Sequence, residues 1–134
     1  MPHLLEFDRL IRYDHGLTGI TIETTIGFSD VTTTFPAKID TGSSVCVFER
    51  SHGESLGLDI ESGIFLKIST ATGTFNAFGF RVGLEVADLE FDSLAFFAED
   101  ENIRRNILGR HGWHELIRMG LVDYEGKLYL SKYS

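Results

Sequence analysis

The sequence predicts one mostly antiparallel, all-β domain with a single short helix near its C-terminal end. A chain of 134 residues, 43% apolar and 24% charged, is suited to one globular domain. Its eleven Phe and four Tyr accompany many Ile, Val and Thr, which are residue types favoured in strands. Fourteen glycines recur at turn-like spacings, whereas only two prolines occur. This distribution is typical of short strands joined by tight turns.

The first part of the chain shows the strand pattern most clearly. Residues 17–28 form the first predicted strand, because their alternate apolar positions share one face. A hairpin turn at residues 29–30 leads into a second strand, residues 31–39. Residues 45–48 are predicted as a third strand, and residues 49–56 as a short helical turn that ends before a glycine.

A hairpin with a small polar tip follows in the sequence. Residues 64–68 and 75–82 are its predicted strands, and residues 69–74 turn around Gly73. The tip has no large apolar side chain to anchor it, and mobile hairpins of this kind serve as lids. The alternative is an ordinary solvent-facing turn.

The last part of the chain contains the predicted helix. Strands are expected at residues 84–89 and 93–97. Residues 113–119 have helical spacing and stop at Gly120. A closing hairpin is predicted around residues 125–126, and no internal repeat or linker divides the chain.

Two motifs carry the chemistry. Asp40-Thr41-Gly42-Ser43 follows the second predicted strand, so the carboxylate of Asp40 lies where a strand runs into a glycine turn. The hydroxyls of Thr41 and Ser43 are able to donate to a carboxylate or to the backbone and so hold the acid in one orientation. The second motif is Ile107-Leu108-Gly109-Arg110, which comes shortly before the predicted helix.

Together these motifs resemble the retropepsin-like aspartic proteases, the single-domain class found in retroviruses and in cellular relatives. The first resembles the catalytic loop and the second the apolar-apolar-Gly-Arg element that precedes the C-terminal helix. The glycine-tipped hairpin lies between them, as in the family. The resemblance covers residues 17–134 and leaves residues 1–16 as an unassigned N-terminal extension. It implies a closed β-barrel or sandwich with one short C-terminal helix.

The resemblance also implies roles for the residues of the first motif. Asp40 is expected to be the catalytic carboxylate, and Thr41 to form a hydrogen bond with the loop of a partner copy. Gly42 is expected where the substrate backbone passes closely, and Ser43 is expected to bond the outer carboxylate oxygen.

The second motif and the hairpin have implied roles as well. Gly109 is expected to pack beneath the Asp40 loop in a ψ-shaped crossing, with Ile107 and Leu108 as apolar supports. Thr72 and Gly73 are expected to belong to the flap that covers bound peptide. Viral members often carry an acid where Ser44 stands, so Arg110 is expected to find another carboxylate, a backbone carbonyl or solvent. These four supports of the site are Ile107, Leu108, Gly109 and Arg110.

The count of catalytic loops predicts a homodimer. Peptide hydrolysis by carboxylates requires one acid and one base, whereas the chain has one such loop. A two-fold dimer that joins two Asp40 side chains completes the site. We therefore expect an aspartic endopeptidase that acts on peptides or proteins. The alternative is a non-catalytic dimeric peptide-binding or assembly module that has kept the fold.

Composition bears on other functions. Twenty acidic against twelve basic side chains give a formal charge of -8, which argues against nucleic-acid and anionic-membrane partners. No apolar run approaches the length of a membrane span, and a cytoplasmic protein is expected. The single Cys46 fits a small buried apolar residue. His111 and His114, with the neighbouring Glu115, have no further ligand at the spacing of a zinc site, so no metal is expected. No cofactor is expected either.

Overall fold

The computed structural model covers residues 1–134 and contains ten strands, one α-helix and three 3-10 turns. In chain order these are β1 (Arg9–Arg12), β2 (Ile20–Phe28), β3 (Val31–Ile39), β4 (Cys46–Phe48), α1 (Arg50–Ser55), a 3-10 turn (Ile60–Ser62), β5 (Ile64–Thr70), β6 (Gly73–Val86), β7 (Leu89–Ala98), β8 (Ile107–Leu108), a 3-10 turn (His114–Leu116), β9 (Ile117–Val122), a 3-10 turn (Asp123–Glu125) and β10 (Lys127–Lys132).

Six strands close into a barrel. Their order is β2-β3-β8-β4-β7-β6, and a second pairing between β6 and β2 completes the ring. β5 lies outside the ring and pairs only with β6, so the β5–β6 hairpin projects from the barrel. Closure leaves no open edge within the ring. The predicted closed all-β fold is confirmed.

The strand pattern of the sequence places the barrel core. Ile22, Thr24 and Ile26 of β2 are buried, and so are Phe35 and Ala37 of β3. The residues between them are more exposed, as the two-residue period of a strand requires. The two strands pair in full register across the predicted turn at residues 29–30. The hairpin therefore ends at the residue that precedes Asp40.

The strand boundaries after the flap differ from the prediction. β6 continues without a break to Val86, and β7 starts at Leu89. Ala87 and Asp88 form the connecting turn with φ of 52° and 63°, respectively. Left-handed turns favour Gly, Asn or Asp, and Asp88 is such a residue whereas Ala87 is not. The local signal for this hairpin is therefore weak.

The predicted C-terminal helix at residues 113–119 is present only as the 3-10 turn His114–Leu116. The residues from Ile117 onward belong to β9, which pairs antiparallel with β10. Ile117 is buried against the core, and its burial fits a helix or a strand equally well. The β10 partner decides in favour of a strand, because it satisfies the backbone of β9 along one side.

A second sheet has the order β1-β10-β9 and joins both ends of the chain. β1, from the segment that the sequence left unassigned, pairs antiparallel with β10. The Tyr13 N–H donates to the Gly126 carbonyl at 3.0 Å, and the Asp8 N–H donates to the Ser131 hydroxyl at 2.7 Å.

None of the helices has the length and apolar character that crossing a bilayer requires.

Candidate active site

Asp40 is placed by two parallel strands. β3 pairs with β8 so that Ile39 lies beside Leu108, and the Asp40 N–H donates to the Leu108 carbonyl at 3.1 Å. The Gly42 N–H donates to Oδ1 of Asp40 at 2.8 Å, and the Ser43 N–H donates to the Asp40 carbonyl at 3.2 Å. These bonds form a tight turn that orients the carboxylate.

The reason for glycine at position 42 differs from the expected one. The backbone of Gly42 is not in the left-handed region. A Cβ at this position would instead lie 3.1 Å from Oδ1 of Asp40. Glycine therefore makes room beside the carboxylate. Thr41 is exposed, which leaves its hydroxyl accessible to a second copy of the chain.

Ser43 also departs from the expectation. Its hydroxyl donates to the Val45 carbonyl at 2.7 Å, and the expected bond to the outer oxygen of Asp40 is not formed. The carboxylate is held by the main chain instead, because the Gly42 N–H donates to one of its oxygens. Ser43 thus fixes the loop two residues onward and leaves the other carboxylate oxygen of Asp40 free.

The second motif locks the first in place. A Cβ at Gly109 would lie 2.1 Å from the Val45 carbonyl oxygen and 3.0 Å from that of Ser43, so the two loops cross in direct backbone contact. The Arg110 N–H donates to the Ser43 carbonyl at 2.9 Å, and Val45 pairs with His111. The Arg110 side chain is exposed and has no carboxylate within 4 Å, so it faces solvent.

A cleft of about 380 Å³ separates the Asp40 loop from the projecting hairpin. The hairpin contributes Ile68 to Ala71 and Phe75, whereas Thr72 in the connecting turn and Gly73 at the start of β6 do not line the cleft. Thr70 fixes that turn, because its hydroxyl donates to the Gly73 carbonyl at 2.9 Å. The sequence predicted substrate contact at Thr72 and Gly73, whereas the residues just before Thr72 line the cleft. Four of these are consecutive, so the two-residue period of a strand does not identify them. The full lining is Asp40, Gly42, Ser43, Val47, Ile68, Ser69, Thr70, Ala71, Phe75, Arg105 and Ile107.

A second cavity of about 550 Å³ also borders Asp40. It shares Asp40, Arg105 and Ile107 with the cleft. The remaining lining residues are Thr21, Pro36, Lys38, Arg104 and Asn106. Asp40 therefore lies on the floor of an open groove that extends to both sides, which suits an extended chain.

The layer beneath the loop is apolar except for one imidazole. Leu108 and Trp113 are fully buried, and burial raises the pKa of the Cys46 thiol to about 11, as suits the predicted apolar role. His114 is half-buried, and its Nε2 donates to the Leu108 carbonyl at 2.9 Å. That carbonyl also accepts the Asp40 N–H, so one oxygen joins the imidazole to the Asp40 loop.

Two histidines are expected to make the fold sensitive to acid. Burial lowers the pKa of His114, against the opposing effects of the Leu108 carbonyl and the charge of Asp40, while Arg110 lowers it further. Burial also lowers the pKa of His52, which stacks on Phe35 and is opposed by Glu49. Both groups bind protons more readily in the unfolded chain. Their contribution to stability is therefore complete above about pH 6.5 and is lost as pH falls through their lowered pKa values.

Thermal unfolding at pH 7.5 and pH 5.0 measures this effect. The decrease in melting temperature on acidification should shrink in His114→Gln, because glutamine retains a donor for the Leu108 carbonyl and does not titrate. His3→Gln, at an exposed N-terminal position, is the matched control and should leave the decrease unchanged. An equal decrease in all three proteins would show that His114 does not contribute.

The comparisons with known proteins agree with this geometry. The family model described as aspartyl protease matches residues 22–111, about two thirds of the chain, which include both motifs and the hairpin. Among solved structures, the EIAV protease complexed with the inhibitor HBY-793 matches with a TM-score of 0.54 at 22% identity, over 69% of this chain and 83% of that one. The comparison with curated proteins finds no significant match. The chain belongs to the aspartyl protease family and has a retropepsin-like fold.

Proposed function

We propose that the chain is an aspartic endopeptidase whose active site is completed by a second copy. The observation that carries this proposal is the position of Asp40, which lies in the floor of a groove beneath a projecting hairpin. Two Asp40 carboxylates that meet across a two-fold axis hold one proton between them, because both cannot be ionised cheaply at close range. The ionised one activates water, and the protonated one donates to the substrate carbonyl.

The remaining site residues have supporting roles in this proposal. Thr41 hydrogen-bonds to the partner's loop, and Gly42 and Ser43 contact the substrate backbone. Thr72 and Gly73 contact the substrate from the tip of the flap once the hairpin closes. The four residues from Ile107 to Arg110 support the loop from below, and Gly109 is the point of closest contact.

The edge of β9 is the surface on which we place the second copy. β9 is the last strand of its sheet, so one side of its backbone is unpaired. Leu121 pairs with the buried Leu128 and thus lies on the same face, yet it is 46% exposed because nothing lies beyond the edge. β9 starts immediately after the turn that contains His114. The His114 imidazole donates to the carbonyl of Leu108, the residue that supports Asp40. Antiparallel pairing of two β9 strands would therefore bring the two catalytic loops together.

Leu121→Lys should shift the protein from dimer to monomer and abolish cleavage, because each copy would bring an ammonium group to the paired edges, where like charges repel. Sedimentation at tens of micromolar protein measures the assembly. Leu10→Lys is the matched control, since Leu10 is also 46% exposed and belongs to the opposite edge strand of the same sheet. A Leu121→Lys dimer as stable as the wild type would exclude this edge as the interface.

Cleavage of an unbiased peptide library, followed by mass spectrometry, tests the activity. We expect cleavage by the wild type, none by Asp40→Asn, and inhibition by a statine-type peptide whose hydroxyl mimics the tetrahedral intermediate. Inhibition by chelators alone would instead point to a metal hydrolase. A dimer that binds peptides without cutting them would leave the peptide-binding module as the function.

A further inference from the structure

The groove around Asp40 is basic although the chain is acidic. The formal charge of the chain is -8, yet Lys38, Arg104 and Arg105 line the larger cavity beside Asp40. Arg105 also lines the cleft under the hairpin, so it borders both sides of the site. Asp40 is the single carboxylate in the lining of either cavity. The local charge that meets a substrate is thus opposite in sign to the charge of the whole chain.

These cations are poorly neutralised within the chain. Neither Lys38 nor Arg105 has a carboxylate within 4 Å. Arg104 lies 3.4 Å from Glu49 but is 81% exposed, so its pairing is weak. Arg50, in contrast, is held by two carboxylates away from the groove. The basic side chains of the groove are therefore free to pair with a bound molecule.

The backbone that carries them is fixed. The Asn106 side chain donates to Glu49 Oε2 at 2.6 Å and accepts from the Glu49 N–H at 3.0 Å. The Asn106 carbonyl in turn accepts the Lys38 N–H at 2.8 Å. The backbones of Lys38 and Arg105 are thus held close to each other, next to the Asp40 loop. The fixed backbone places the two cations close together, and the exposed side chains lose rotamer freedom only when they bind.

We propose that Arg105, assisted by Lys38, makes this site select peptides that carry an Asp or Glu side chain beside the bond to be cut. This inference rests on the proposed protease function and names its substrate class. The planar guanidinium of Arg105 matches a carboxylate with two parallel hydrogen bonds, and Lys38 adds a second positive charge. In the dimer each protomer supplies one such pair, so acidic residues are accepted on either side of the scissile bond.

Two peptide libraries that differ only in one fixed position, Glu or Gln, test the proposal. The wild type should favour Glu by roughly tenfold in kcat/KM, the size expected for a charge-assisted hydrogen bond at an accessible site. The preference should fall toward one in Arg105→Gln, and Arg105→Glu should favour a third library with Lys at the fixed position. Arg12→Gln removes the same charge from β1, outside both cavities, and should keep the Glu preference.

Equal cleavage of the Glu and Gln libraries by the wild type would overturn the inference and leave the protease function intact. A loss of the Glu preference in Arg12→Gln equal to that in Arg105→Gln would also overturn the inference, since the effect would then come from the overall charge of the chain. If the wild type cuts neither library, binding of the same peptides to Asp40→Asn decides separately. Tighter binding of the Glu peptides would support the selectivity without proteolysis, whereas equal or undetectable binding would overturn it.

Discussion

Asp40→Asn is expected to reduce kcat by roughly a thousandfold or more, because it removes the only group proposed to accept a proton from water. The fold should persist. The amide oxygen of asparagine is able to accept the Gly42 N–H that now donates to Oδ1 at 2.8 Å, so the turn keeps its geometry. Peptide cleavage and thermal unfolding of the same samples measure the two effects.

Asp14 offers a matched control for this substitution. The Gly16 N–H donates to Oδ1 of Asp14 at 2.9 Å, and a Cβ at Gly16 would lie 3.1 Å from that oxygen. The local turn is therefore the same as at Asp40, but Asp14 lines neither cavity beside the catalytic loop. Asp14→Asn should keep full activity. Wild-type activity in Asp40→Asn would mean that the cleavage arises elsewhere.

Mixing wild-type and Asp40→Asn chains tests whether the site is shared. In mixed dimers one carboxylate is missing, so each variant chain that pairs with a wild-type chain should silence it. Activity at fixed wild-type concentration should therefore fall as the variant is added in excess. Activity that stays constant would show that each chain works alone.

Gly109→Ala is expected to destabilise the fold by about 4 kcal/mol or more, a large part of the stability of a small domain. The added methyl would lie 2.1 Å from the Val45 carbonyl oxygen, and 2.5 Å from the carbonyl carbon of the same residue. Both are backbone atoms, so relief requires the two crossing loops to separate. The Arg110 N–H would then lose the Ser43 carbonyl, and the support of Asp40 would move with it.

Gly83→Ala is the control for this substitution. Gly83 lies in β6 with an ordinary strand backbone, and the nearest atom to an added Cβ is the Gly27 carbonyl oxygen at 3.7 Å. The variant should unfold within about 1 kcal/mol of the wild type. Denaturant unfolding of both variants provides the comparison. A Gly109→Ala protein as stable as Gly83→Ala would refute the close crossing of the two loops.

Local signals in the sequence were sufficient for β2 and β3 and for the turn at Asp40. β2 and β3 alternate strictly, so their pairing follows from side-chain period and from the turn at residues 29–30. The Asp40 turn is likewise encoded within four residues, because its bonds join Asp40 to Gly42 and Ser43. These features were therefore predictable, since they depend on strong signals from neighbours in sequence.

Contacts between distant segments decided the rest. Residues 117–119 were predicted as helix and became a strand because β10 pairs with them, and the spacing of apolar residues does not reveal such a partner. The basic groove has the same origin. Lys38 and Arg105 are 67 positions apart, and the pairing of β3 with β8 brings their backbones together beside Asp40. The sequence by itself predicted Asp40 as the catalytic residue, whereas the tertiary structure decided which charges surround it, because electrostatic interactions depend on distance in space.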